Sequence, residues 1–204
     1  MSEIGVGLVG YKFMGRAHSN AYRQASAFFD VDPKPVMRAI CGRDEAATKA
    51  AAEKLGWQTW ETDYHKLVQR DDIGLVDVST PGYTHHDVVL AALEAGKHVL
   101  CEKPLALTAE DARRVRDAAI AVGPRVKHMT GFNYRFVPAI RFARDLIDRG
   151  LLGDLYHVRI QYLQQSIRDP DAPLRKLPPP ESMKAGSQAI LGCHAVDLAR
   201  FLAG

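Results

Sequence analysis

The chain has 204 residues, 47% of them apolar, and sets 27 Lys and Arg against 24 Asp and Glu for a formal charge of +3. That composition is ample for a globular core and excludes a mainly disordered chain, while the lack of any Lys/Arg-rich block argues against nucleic-acid and membrane partners. The 3 cysteines, at positions 41, 101 and 193, form no CxxC pair, and no run approaches the roughly 18 apolar residues of a membrane span, so a soluble protein of a reducing, cytoplasmic compartment is expected.

From Ile4 to Gly131 short apolar runs alternate with amphipathic segments, the pattern of a parallel sheet with helical crossovers. Strands are predicted at Ile4–Val9, Val36–Cys41, near Trp57–Trp60, and at Leu75–Val78, His98–Cys101 and Arg125–Thr130. Helices are predicted at Met14–Phe28, Asp44–Leu55, Asp63–Arg70, Thr84–Ala95 and Thr108–Val122. In the first of these, Met14, Ala17, Ala21, Ala25 and Phe28 recur at helical spacing and define the expected inward face. Asp44, Thr84 and Thr108 are N-cap candidates, and Gly56 and Gly96 close two of the helices. Beyond Gly131 come a helix at Val137–Arg149, a period-2 strand at Leu155–Leu163, a loop with prolines from Pro170 to Pro180, and a helix at His194–Leu202. A single strand cannot satisfy its own backbone, so the second domain reads as incomplete. The expected division is 1–131 and 132–204.

The first strand runs into Gly10-Tyr11-Lys12-Phe13-Met14-Gly15, a GxGxxG turn with Lys12 in place of the middle glycine. A tight turn at Gly10 and close packing at Gly15 aim a helix N-terminus at a pyrophosphate. The Lys12 charge would help hold the anion, with Phe13 and Met14 completing the turn. At the end of the second strand, Gly42 and Arg43 stand where an acid would select NAD, which favours NADP over NAD as cofactor. The competing reading is that Arg43 is a solvated residue at the helix start and that Asp44 caps the helix or reaches the ribose instead.

Two further stretches, Ser79-Thr80-Pro81-Gly82-Tyr83-Thr84-His85 and Gly96-Lys97-His98-Val99-Leu100-Cys101-Glu102-Lys103-Pro104-Leu105-Ala106, together with Gly131-Phe132-Asn133-Tyr134-Arg135-Phe136, resemble the glucose-fructose oxidoreductase, inositol dehydrogenase and rhizopine catabolism (Gfo/Idh/MocA) family. The resemblance implies a doubly wound parallel Rossmann domain followed by an α/β domain with an open antiparallel sheet. It also implies an NAD(P)-dependent oxidoreductase acting on a sugar, inositol or related polyol. In such a protein Thr80, Pro81 and His85 would face the nucleotide, Glu102 would hold Lys103 or touch the cofactor, and Lys103 would be catalytic. The residues themselves allow this, because Lys103 leaves the carboxyl end of a parallel strand, and a cation there lowers the cost of removing a hydroxyl proton. Asn133, Tyr134 and Arg135 would lie near nicotinamide and substrate, or tie the two domains together. The adjacent His85 and His86 point to different helix faces and form no metal site.

The family commonly carries Asp-x-Gly-x-His in its second domain, with the histidine as acid or base. Here His194 and Asp197 match, but Ile190 stands four residues before His194 in place of the acid. Asp197 is read as a structural cap or pair. A homo-oligomer, dimer or tetramer, is expected. Three explanations suit the short second domain: a fragment, a degenerate relative, or a short protein that completes its sheet with another copy. A non-catalytic nucleotide-binding or regulatory module is the rival to the enzyme.

Overall fold

In the computed structural model, which describes residues 2–163 and 191–204, the chain divides into two compact units at residues 130 and 131. The first unit runs β1 (Glu3–Val9), α1 (Phe13–Phe28), β2 (Lys34–Cys41), α2 (Glu45–Leu55), β3 (Thr59–Glu61), α3 (Tyr64–Val68), β4 (Leu75–Val78), α4 (His85–Glu94), β5 (His98–Cys101), α5 (Ala109–Ala121) and β6 (His128–Thr130). All neighbouring strands pair in parallel, in the order β3-β2-β1-β4-β5-β6. The order reverses between β1 and β4, and it is outside the carboxyl ends of the strands at such a switch point that open α/β sheets bind ligands.

The alternation of side chains along the strands divides the interior into two layers. Val9, Ala39, Cys41, Val76, Val78, Val99 and Cys101 face α3, α4 and α5 through Leu67, Val88, Ala92, Leu93 and Val115. Val6, Leu8, Met37 and Ile40 pack on the other side against Ala52, Leu55 and Trp57. The strand expected near Trp57 begins two residues later, because Trp57 is drawn into this core at 5% exposure while the strand residue Trp60 lies outside it. Likewise β6 is confined to three residues at the edge of the sheet.

Helix α1 departs most from expectation. Ala17 and Ala21 are exposed, as is Phe28, and the inward face carries Gly15, His18, Ser19 and Tyr22. The inward face is therefore polar, and the apolar pattern marked a mostly solvent-facing one. Each inward group has a partner: Ser19 Oγ donates to Gly15 O at 2.6 Å and accepts from Trp57 Nε1 at 3.0 Å, while His18 and Tyr22 reach Asp77. Buried polar groups persist only when paired in this way.

Asp44 and Thr108 cap α2 and α5, accepting from the backbone N–H of Ala47 and Asp111. Thr84 does not cap α4 through its side chain; its hydroxyl lies instead against Pro81 O and Thr80 Oγ1, at 2.8 and 2.7 Å.

The second unit contains α6 (Pro138–Asp148) and α7 (Cys193–Ala203). Residues 155–163, expected as a strand, have no regular secondary structure, since no described neighbour supplies a ladder. The open antiparallel sheet is accordingly not among the described elements, and the proline-rich loop and Ile190 lie outside the described residues.

Candidate functional site

In the first unit, backbone bonds carry the sheet past its strand ends. Gly10 N–H donates to Cys41 O, Ser79 N–H to Val9 O, and Glu102 N–H to Val78 O, each at 2.8 to 2.9 Å. These bonds fix the turns after β1, β4 and β5 side by side. Gly10 has φ +102°, and a Cβ there would stand 2.7 Å from Ser79 O, so both conformation and space demand glycine. A Cβ on Gly15 would meet Gly10 O at 2.1 Å, so the helix can approach the turn only without a side chain at that point.

The N-terminus of α1 has no side-chain cap and no acid in its first turn, unlike α2 with Asp44 and Glu45. Its orphan N–H groups and partial positive charge thus have no capping side chain at the mouth of the glycine turn. Lys12 is exposed at this end, Phe13 is 82% exposed, and Met14 is half-buried. The turn has the cradle and the donors that a dinucleotide pyrophosphate requires.

Gly42, after β2, has a different reason to be small. A Cβ there would stand 2.2 Å from Tyr11 Cε1 and 2.6 Å from Thr48 Oγ1. Packing under the Tyr11 ring explains the glycine without any reference to a 2′-phosphate. Arg43 is exposed beside it.

After β4, Thr80 is half-buried and Pro81 exposed. His85 is buried, with Nδ1 2.7 Å from Pro104 O and Nε2 2.7 Å from Thr80 O. The ring thus stands between a carbonyl of the turn after β4 and a carbonyl of the turn after β5, one facing each nitrogen. His85 thereby shapes the loop from behind and offers no unengaged nitrogen to a ligand. The Lys103–Pro104 peptide is cis. Lys103 itself is half-buried, and its backbone N–H donates to Glu102 Oε2 at 3.2 Å.

Beneath these turns lies a cluster that sequence reasoning missed. His18 Nδ1 is 2.8 Å from Asp77 Oδ2, and its Nε2 is 3.2 Å from Glu102 Oε1. Tyr22 OH donates to Asp77 Oδ2 at 2.8 Å, and Ser79 Oγ to Asp77 Oδ1 at 3.1 Å. Burial works against a charge on His18, yet hydrogen bonds to the two carboxylates prevail and push its pKa up to about 10. Burial would raise the Glu102 carboxyl, but the bond from His18 holds it below the ordinary range. Burial and the nearby Asp77 push the Tyr22 hydroxyl up. The available signal was Asp77, an acid inside an otherwise apolar strand, which demands a partner when buried.

In the second unit His194 is buried among aromatic rings, with centroids 4.6 Å from Tyr134, 5.8 Å from Tyr162 and 6.2 Å from Phe132. The Tyr134 and Tyr162 hydroxyls lie 2.6 Å apart, and this hydrogen bond raises the Tyr134 pKa. Asp197 is buried and takes a forked contact from Arg135, with Nε 2.8 Å from Oδ2 and a second, shorter contact from Nη2 to Oδ1. Asp197 is thus a structural partner of Arg135, and the guanidinium is engaged within its own unit. Asn133 is exposed.

Residues 4–129 match the oxidoreductase family with an NAD-binding Rossmann fold, and residues 140–204 match the GFO/IDH/MocA C-terminal domain. The chain belongs to the Gfo/Idh/MocA family. It is 36% identical over its whole length to levoglucosan dehydrogenase of Pseudarthrobacter phenanthrenivorans, covering 52% of that protein, and 31% identical to the rhizopine catabolism protein MocA of Rhizobium meliloti, covering 58%. Among solved structures, an oxidoreductase domain protein from Kribbella flavida superposes with TM-score 0.94 at 50% identity, the chain covering 55% of it. A levoglucosan dehydrogenase in complex with NADH and levoglucosan superposes with TM-score 0.91 at 36% identity, again with 55% covered. The chain therefore spans about half the length of these relatives.

As a Gfo/Idh/MocA member, the chain brings the candidate residues of its first unit to one edge of one sheet. Gly10, Lys12, Phe13, Met14 and Gly15 follow β1, Gly42 and Arg43 follow β2, Thr80, Pro81 and His85 follow β4, and Glu102 and Lys103 follow β5. In the second unit Tyr134 meets His194 ring to ring, whereas Arg135 pairs with Asp197, three residues after His194 in α7.

Proposed function

We propose that the chain forms the nucleotide-binding half of an NAD(P)-dependent oxidoreductase of sugars or polyols. The observation that carries this reading is the uncapped glycine turn after β1 lying on the same sheet edge as Lys103. The solved relative that holds NADH and levoglucosan, and the inositol dehydrogenases at 35% identity, support the substrate class.

The first-turn N–H groups of α1, with Lys12 beside them, would hold the pyrophosphate, and Thr80 and Pro81 would border the nucleotide. Arg43, exposed at the tip of β2, would carry any preference for a 2′-phosphate. When bound, the nicotinamide supplies a two-electron hydride acceptor. The Lys103 ammonium would then stabilise the oxygen that becomes negative as the alcohol loses its proton. His194 is the candidate proton carrier of the second unit.

Titration with NADH and NADPH, followed by nucleotide fluorescence, tests binding; no saturation with either would overturn the reading. Replacing Lys103 by Met should lower turnover roughly 10²-fold to 10⁴-fold, as loss of a general acid or base does, with nucleotide affinity retained. Replacing Arg43 by Ala should weaken NADPH by about tenfold, the worth of one charged hydrogen bond, and leave NADH unaffected. Equal losses for both nucleotides would sink the NADP preference.

A second reading, a nucleotide-binding module without turnover, is favoured by Ile190 in the acidic position and by the pairing of Asp197 with Arg135. Tight nucleotide binding without turnover across a panel of sugars and inositols would select it.

A further inference from the structure

Lys103 sits between two chain neighbours that are each tied to a histidine from a different helix, one half-buried and one buried. On its carboxyl side, the Pro104 carbonyl lies 2.7 Å from the His85 ring of α4. On its amino side, Glu102 is reached by the His18 ring of α1, 84 residues away in sequence. Backbone bonds already fix where Glu102 begins, through its N–H to Val78 O. They do not fix where its carboxylate goes.

Glu102 has two oxygens with two different partners. Oε1 faces His18 Nε2 at 3.2 Å, and Oε2 accepts from the Lys103 backbone N–H at 3.2 Å. His18 is itself oriented through its other nitrogen by Asp77, which Tyr22 and Ser79 hold in turn. A ring that donates from both nitrogens to carboxylates has a single orientation, whereas a carboxylate on a two-carbon stem with no such donor has several rotamers. The chain of bonds thus runs from a helix core to the main chain of the candidate catalytic residue.

We propose that His18 is a positioning residue for Lys103, acting through Glu102: by bridging Asp77 and Glu102 it fixes the carboxylate that holds the Lys103 amide. The inference deepens the oxidoreductase reading, because it assigns a role in shaping the edge of the proposed site to a residue that does not face it. His18 touches no reacting atom in this arrangement. The groups that face it are Asp77 and Ser79 from the end of β4 and Glu102 from the end of β5, with Tyr22 of its own helix bonded to the same Asp77 carboxylate.

The test is amide NMR on the full chain. With His18 replaced by Leu, the Lys103 amide should exchange with solvent roughly 3-fold to 10-fold faster, the worth of one hydrogen bond, while the Val76 and Val99 amides of the central strands keep their protection. Replacing His18 by Gln, which keeps one donor, should restore part of the difference. Unchanged Lys103 exchange in both folded variants would overturn the proposal. Should the Leu variant fail to fold, the wild-type chain decides alone: the Lys103 amide shift should titrate together with the His18 ring, and a Lys103 amide that ignores the ring's titration would overturn it equally. Nucleotide titration on the same samples separates the two claims. Absent nucleotide binding refutes the oxidoreductase reading, and an indifferent Lys103 amide refutes only the role of His18.

Discussion

The His18 ring also sets how stability depends on pH. Folded, it binds its proton up to about pH 10, against 6.5 for the ordinary group. Its contribution is therefore complete below pH 6.5 and is lost as the pH rises through about 10. Glu102 has the opposite sign: held below its ordinary range, it contributes above that range and is lost on acidification. The buried thiols add to the alkaline loss only above the ordinary thiol range, with Cys41 pushed up to about 12. Urea midpoints measured across pH should fall between 6.5 and 10 in the wild type, and His18→Gln should flatten that slope. An equal slope in both proteins would exclude His18 as its source. At Gly42, substitution by Ala forces a Cβ to within 2.2 Å of the Tyr11 ring and should cost about 1–3 kcal/mol. Pairing it with Tyr11→Ala should recover part of that loss, as contacting residues do in a double-mutant cycle.

At the scale of elements, the glycine turn, the helix starts at Asp44 and Thr108 and five of the six strands are legible within about two residues, because turn and cap chemistry is local. Helix α1 was placed correctly and rotated wrongly. Ala17, Ala21 and Phe28 gave an apolar period, yet the face against the sheet is the one whose polar groups find partners on β4 and at Trp57. Those partners lie 38 to 59 residues away, beyond any window of periodicity. The outcome predicts an inverted mutational pattern on this helix. Ser19→Ala leaves the Trp57 N–H buried without its acceptor and should cost about 1–3 kcal/mol, whereas Ala17→Glu and Ala21→Lys should stay within about 0.5 kcal/mol. Thermal unfolding of the three variants checks the order, and a larger loss at Ala17 than at Ser19 would restore the apolar-face reading. The residues at 155–163 failed for the converse reason: alternation describes a strand only when neighbours complete its ladder.

For the whole molecule, the distribution of the core matters most. Every fully buried apolar side chain among the described residues, from Val6 to Ala119, belongs to the first unit. In the second, the buried residues among those described are His194 and Asp197, and α6 has none, with Phe142 61% exposed. An open cavity of about 1350 Å³ lies between α6 and α7. The described part of this unit buries too little apolar surface to offset its own ordering entropy. Residues 1–130 expressed alone should therefore unfold cooperatively, with a urea midpoint close to that of the full chain, and residues 131–204 alone should give no cooperative transition. A cooperative transition from the second piece would contradict this division. The family motifs made the nucleotide half readable from sequence, while the second unit offered His194 and Arg135 but not the Tyr134–Tyr162 pair, which joins residues 28 apart.

The bond from Trp57 to Ser19 also makes the protein its own optical probe. The chain has two tryptophans; Trp57 is buried and bonded to α1, and Trp60 is more exposed, with Lys49 Nζ 5.4 Å from its ring centre. Iodide quenching should remove the Trp60 emission and leave a blue-shifted signal from Trp57. Any event that loosens the seat of α1 would then be visible as a red shift of that remaining band, without a label and without turnover.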